Sequence, residues 1–160
     1  MATYEHIFLH ADVAQSELAG QIADAVRGHL RWTAHGDLYV ARPGRHGGEV
    51  GGHIARNLFG TSEPELDERS VLDGYEVVFT IRTTIRGERV QLDEARWLFD
   101  DISARLPYPV LLTRRMDLLV AAWSPALGLT DFPAGTSVDD EHRDRWAPYA
   151  ISLDAQLDLG

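Results

Sequence analysis

Two stretches of this chain carry apolar side chains at helical spacing along one side only, so each must lay that stripe on another element. In the first, Leu18, Ile22, Ala25 and Val26 fall on one face. In the second, Ala95, Leu98, Phe99, Ile102 and Leu106 do so, before Pro107 and Pro109 stop the helix. The first helix is expected to open at Asp12, with Gln15 completing a capping box, and to close near Gly28. The second is expected over Leu92 to Leu106.

What the stripes would rest on is legible between them. Tyr75 to Thr84 alternates, with Tyr75, Val77, Phe79 and Ile81 on one side and Glu76, Val78, Thr80 and Arg82 on the other. Tyr4 to His10, Leu38 to Arg42 and Gly52 to Phe59 read as further strands. Val110 to Thr113 and Asp117 to Trp123 read as two strands, or as one strand bent at Arg114-Arg115. The expected fold class is therefore α+β: one sheet of about five to six mostly antiparallel strands with two helices on one face. The order strand, helix, strand, strand occurs twice, which is compatible with a duplicated β-α-β-β unit.

At 160 residues the chain is expected to form one domain around a single core. Residues 1–125 would be the α/β body. Residues 126–160 lose the periodicity and would form an irregular acidic segment folding back on it, with a short helix from Asp139 to Trp146. From Asp131 onward that segment holds seven acids against two arginines. Its Phe132, Trp146, Tyr149 and Ile151 are too apolar for a plain disordered tail.

Composition removes several chemistries. With no cysteine there are no disulfides, thiolate nucleophiles or cysteine-based zinc or iron–sulfur sites. All fifteen basic residues are arginine, so a P-loop lysine, a Schiff base and a lysine general base are excluded. No Gly-x-Ser-x-Gly elbow occurs. Gly44, Gly47, Gly48, Gly51 and Gly52 do not form a dinucleotide-binding fingerprint and read as a flexible hairpin. His6 and His10 share a strand face but stand roughly 13 Å apart, too far to share one ion. His46 and His53 flank the glycine region, and a hairpin would let them meet. His53 and Asn57 share a face if their stretch is a strand. Asp100-Asp101 diverge by about 100° on a helix and do not form a dyad. No cofactor and no metal site is expected.

The net charge of -10 disfavours nucleic acid and anionic membrane as partners and favours a basic protein. Two acidic stretches carry that expectation. One is the connection containing Glu65, Asp67 and Glu68; the other holds Asp139, Asp140, Glu141 and Asp144 beside Trp146 and Tyr149. Rings flanked by acids anchor arginine or lysine, the ring supplying desolvated area and the acids steering. Of the remaining tryptophans, Trp32 is a second candidate for a binding surface, and Trp123 reads as core. The small, acidic, mixed α/β character without a catalytic signature is similar to that of bacterial toxin-immunity proteins. A non-enzymatic immunity or antitoxin-like protein covering a basic effector, a toxin domain for instance, is the first expectation. Second is a small-molecule binder with a pocket between the halves near Tyr75 and Phe79. Third is an enzyme using histidine and carboxylates. Met1 to His6 lacks a basic and then apolar leader, so a cytoplasmic monomer or homodimer is expected.

Overall fold

Central to the fold are two adjacent strands that each launch a helix. The computed structural model describes residues 4–58 and 69–151. Strand β1 (Glu5–Leu9) leads into helix α1 (Gln15–Val26), and strand β5 (Val77–Thr83) leads toward helix α2 (Glu88–Arg105). Between them come β2 (His29–Trp32), β3 (Leu38–Pro43) and β4 (Glu49–Arg56). After α2 come β6 (Val110–Arg114), β7 (Leu118–Ser124) and β8 (Gly128–Asp131). The chain continues through a 3-10 turn (Asp140–His142), the short helix α3 (Arg143–Trp146) and a second 3-10 turn (Ala147–Tyr149).

The eight strands among the described residues form one antiparallel sheet in the order β2-β3-β4-β5-β1-β6-β7-β8. β1 lies between β5 and β6, with Ile7 opposite Phe79 on one side and Leu112 on the other. β1 runs parallel to β2, four positions away, and β5 runs parallel to β6, two positions away. Both helices are thus crossovers between parallel strands, and such crossovers are right-handed. Because β1 and β5 run in opposite directions and their crossovers leave to opposite sides, the same hand places both helices on one face. Ile7, Leu9, Val77, Phe79, Ile81, Val110 and Leu112 meet Leu18, Ile22, Val26, Leu98, Phe99 and Ile102 there in one buried cluster.

The sheet is larger than the sequence pattern indicated. It has eight strands rather than five or six, and α3 is a third helix. The two extra strands are its edges, β2 and β8, each four residues long. The element order does repeat, as strand, helix and three strands, but the sheet positions do not. The first crossover travels to the far edge and the chain meanders back; the second lands next to β1 and meanders outward. Residues 128–131, read as part of an irregular segment, extend the sheet.

Local signals explain the shifted boundaries. Ala14 is the N-cap of α1 without a side-chain cap, and Gln15 Nε2 instead donates to the Ile54 carbonyl at 3.3 Å. β4 begins earlier than expected because Gly51 and Gly52 belong to the strand interior, where neighbouring strands approach too closely for a Cβ. Arg114-Arg115 marks a hairpin between β6 and β7, with Arg115 at φ 55°.

Two arginines close the C-terminal end of α1. Arg42 donates to the Val26 carbonyl and to Asp101 Oδ2 at 2.7 Å, with its guanidinium 3.3 Å from the Trp97 ring centre. Arg105 donates to the Ala25 carbonyl at 3.0 Å and pairs with Asp101 Oδ1 at 3.0 Å. Cations placed on the last carbonyls of a helix oppose its macrodipole, and Asp101 fixes both.

Candidate functional site

The face of the sheet away from α1 and α2 is divided. Over β1, β6, β7 and the start of β5 it is covered by residues 69–76 and 132–151. Phe8, Val78, Leu111, Leu119 and Ala122 from the strands pack there on Val71, Leu72, Tyr75, Val138, Trp146 and Tyr149. Hydrogen bonds fix this cover. The Tyr75 hydroxyl donates to the Tyr149 carbonyl at 2.7 Å, and the Tyr149 hydroxyl reaches the Gly128 carbonyl at 3.2 Å. Trp146 Nε1 donates to the Asp139 carbonyl at 3.2 Å. Asn57 holds the turn at 72–75, donating to the Leu72 and Tyr75 carbonyls.

This placement corrects part of the expected binding surface. Trp146 is 2% exposed and Tyr149 7% exposed, so both rings belong to the core beneath the segment. The physical reason is area: rings of this size gain more by burial on the apolar half of the sheet than in water. Asp139, Glu141 and Asp144 are exposed on the segment above them. Asp140 is half-buried and paired with Arg143. Glu65, Asp67 and Glu68 lie outside the described residues. Ser70, two residues after Glu68, forms an isolated β-bridge with Asp139, and Val71 N–H donates to the Val138 carbonyl at 2.9 Å. The chain leaving one acidic stretch therefore joins the fold beside the other.

The remaining polar and aromatic residues singled out in the sequence lie as follows. Tyr75 and Phe79 lie in clusters on opposite faces and line no common pocket. His53 stands edge-on to Tyr39, ring centres 5.1 Å apart, while Asn57 lies beyond β4 in its structural role. His46 sits in the β3–β4 hairpin near Asp93 and Glu94 of α2, away from His53. Asp100 and Asp101 diverge, the first to Arg96 and the second to Arg42 and Arg105. Among the described residues no group of three or more histidines and carboxylates is arranged to hold a metal ion. No helix among them is long and apolar enough to cross a membrane.

One constellation was not apparent from the sequence. Along one row of the second face, Arg31, Tyr39, His53, Thr80, His6 and Thr113 come from β2, β3, β4, β5, β1 and β6 in turn. Arg31 stacks 4.7 Å from the Tyr39 ring centre, and His6 Nδ1 lies 3.2 Å from Thr80 Oγ1. Burial grades along the row: His6 and Thr113 are buried, Thr80, His53 and Tyr39 are half-buried, and Arg31 is exposed. Strand alternation carries the signal, but only register brings the six residues into line.

His6 makes the row a source of acid sensitivity. Burial pulls its pKa from 6.5 down to about 4, so the folded chain keeps the ring neutral. The unfolded chain binds the proton first, so stability is full above about pH 6.5 and falls as pH drops toward 4. The loss over that window is about 3 kcal/mol. Burial holds Glu5, on the other face of β1, above its usual value, which acts in the opposite sense. His6→Gln, compared with wild type in denaturant titrations at several pH values, isolates the histidine. The variant is expected to flatten the decline between pH 6.5 and 4, and parallel profiles would refute the assignment.

Comparison with protein-family models, curated proteins and solved structures finds no match to this chain.

Proposed function

We propose that this chain is a non-catalytic binding module that covers a basic protein, in the manner of an immunity or antitoxin-like protein. The bridge between Ser70 and Asp139 carries the reading, because it ties the exposed acids that begin at Asp139 to a strand-like contact with the body of the fold. Exposed Asp139, Glu141 and Asp144 stand on a segment whose backbone is pinned by buried Trp146 and Tyr149. The rings then act as rigid backing and not as contact anchors. Preorganised carboxylates on an acidic molecule accelerate encounter with a cationic surface and lose that advantage as salt rises.

The test uses the product of the adjoining open reading frame, purified, in stopped-flow or surface-plasmon measurements over a range of salt. Binding is expected with an association rate that falls steeply with ionic strength. Asp139→Asn, Glu141→Gln and Asp144→Asn together are expected to slow association about tenfold at low salt while leaving thermal stability unchanged. No binding, or association indifferent to salt and to the triple substitution, would overturn the proposal.

A further inference from the structure

At β8 the Tyr149 hydroxyl meets the Gly128 carbonyl and Thr130 from the second face of the sheet. On β2, no described residue pairs with the outer side, and all four residues, His29, Leu30, Arg31 and Trp32, are exposed. Trp32 is 64% exposed. Thr33 N–H donates to the Asp37 carbonyl at 2.8 Å, which makes that pair a hydrogen-bonded one. Arg31 and His29 therefore also point their backbone groups at β3, opposite Tyr39 and Ala41. The N–H and carbonyl groups of Leu30 and Trp32 face outward, and an unpaired row of this kind templates another strand.

Side chains define what would pair. His29 and Arg31 project to the second face, and Leu30 and Trp32 project to the helix face. There Trp32 borders a groove of about 520 Å³ with Leu38, Ile54, Gln15 and Arg56. The nearest acid on the second face is Glu49, 3.9 Å from Arg31 in an exposed pair that a competing carboxylate displaces at little cost. We propose that β2 is a docking edge for an extended partner segment in which acidic and apolar residues alternate. Its acids would meet His29 and Arg31, its apolar residues would meet Leu30 and Trp32, and its backbone would bond to that of Leu30 and Trp32. A second copy of this chain fits poorly. Self-pairing with Leu30 opposite Trp32, the register that uses both outward-facing residues of each copy, sets Arg31 of one copy against Arg31 of the other, and opposed like charges destabilise a strand pair. The inference is independent of the acidic segment described above, and it assigns an edge marked by Arg31 to an acidic segment.

The probe is an acetylated eight-residue peptide alternating glutamate and valine, with a lysine-for-glutamate counterpart as control, titrated into the full chain. Binding of the acidic peptide is expected with Kd at or below about 0.1 mM, with new hydrogen-exchange protection at the Leu30 and Trp32 amides. Leu30→Pro deletes an outward N–H, a position where an edge strand tolerates proline, and is expected to weaken binding about tenfold. Arg31→Glu is expected to weaken it comparably and is the fallback if the proline variant loses its circular-dichroism signature. Equal binding of the lysine peptide, protection appearing elsewhere, or no binding would overturn the proposal. A dimer in sedimentation equilibrium that Arg31→Glu leaves intact and Leu30→Pro dissolves would overturn it too, making the occupant a second copy.

Discussion

Gly52→Ala is expected to destabilise the chain by about 3 kcal/mol, or to prevent folding, although it adds a single methyl group. Gly52 lies in β4 between Val40 of β3 and Ile81 of β5. A Cβ built there falls 1.5 Å from the Thr80 carbonyl oxygen and 2.6 Å from its carbon. Those atoms are backbone in a central pair of the sheet, so no rotamer change relieves the contact. Either β4 separates from β5, breaking ladder bonds, or the register shifts and turns the apolar face of β4 outward. Gly20, on α1, gives the opposite result. Nothing lies within 4 Å of the corresponding Cβ, so Gly20→Ala is expected to stabilise by up to about 1 kcal/mol through helix propensity. Chemical denaturation of both variants checks the pair. A near-neutral Gly52→Ala would mean that β4 and β5 are not apposed as described.

The same glycines show where sequence reading stops. The pattern around Gly51 and Gly52 signals backbone freedom, and only the packed sheet reveals that the need is space rather than flexibility. Both amphipathic helices and most of the sheet were legible, because stripes such as Leu98, Phe99 and Ile102 and the alternation at Val77 to Ile81 report burial directly. The edge strands were not. β2 has no buried side chain to create alternation, and β8 is four residues opening on Gly128. The capping box at Asp12 failed because the Gln15 side chain found a tertiary acceptor, the Ile54 carbonyl, thirty-nine residues away. For the candidate site, the exposed carboxylates at 139, 141 and 144 were legible as charge. Their meeting with the chain at Ser70 was not, since it depends on a bridge between residues far apart in sequence. Trp146 and Tyr149 were misplaced for a related reason. A helix broken into 3-10 and α turns carries no stripe, so nothing local says which side faces the core.

Burial of Trp146 beneath the C-terminal segment makes its removal costly. Trp146→Ala is expected to cost about 3–5 kcal/mol, the range for emptying a buried aromatic site. Trp146 is among the largest fully buried side chains, and its indole N–H is spent on the Asp139 carbonyl. An alanine leaves both a void in the second core, the cluster that also holds Phe8, Val78 and Leu111, and an acceptor without its donor. The loss is also expected to be uneven. Helices α1 and α2 pack on the opposite face of the sheet and keep their cluster, whereas residues 69–76 and 132–151 depend on the second one. Hydrogen exchange should therefore quicken first at Val71, Val138 and their neighbours, at conditions where Ile7 and Phe79 remain protected. If the carboxylates of Asp139, Glu141 and Asp144 act as a preorganised surface, the same variant should slow association with a basic partner even though no charge has been removed. Uniform loss of protection across both faces would instead show that the cover and the sheet unfold as one unit. Wild-type stability would show that Trp146 is not packed in the second core.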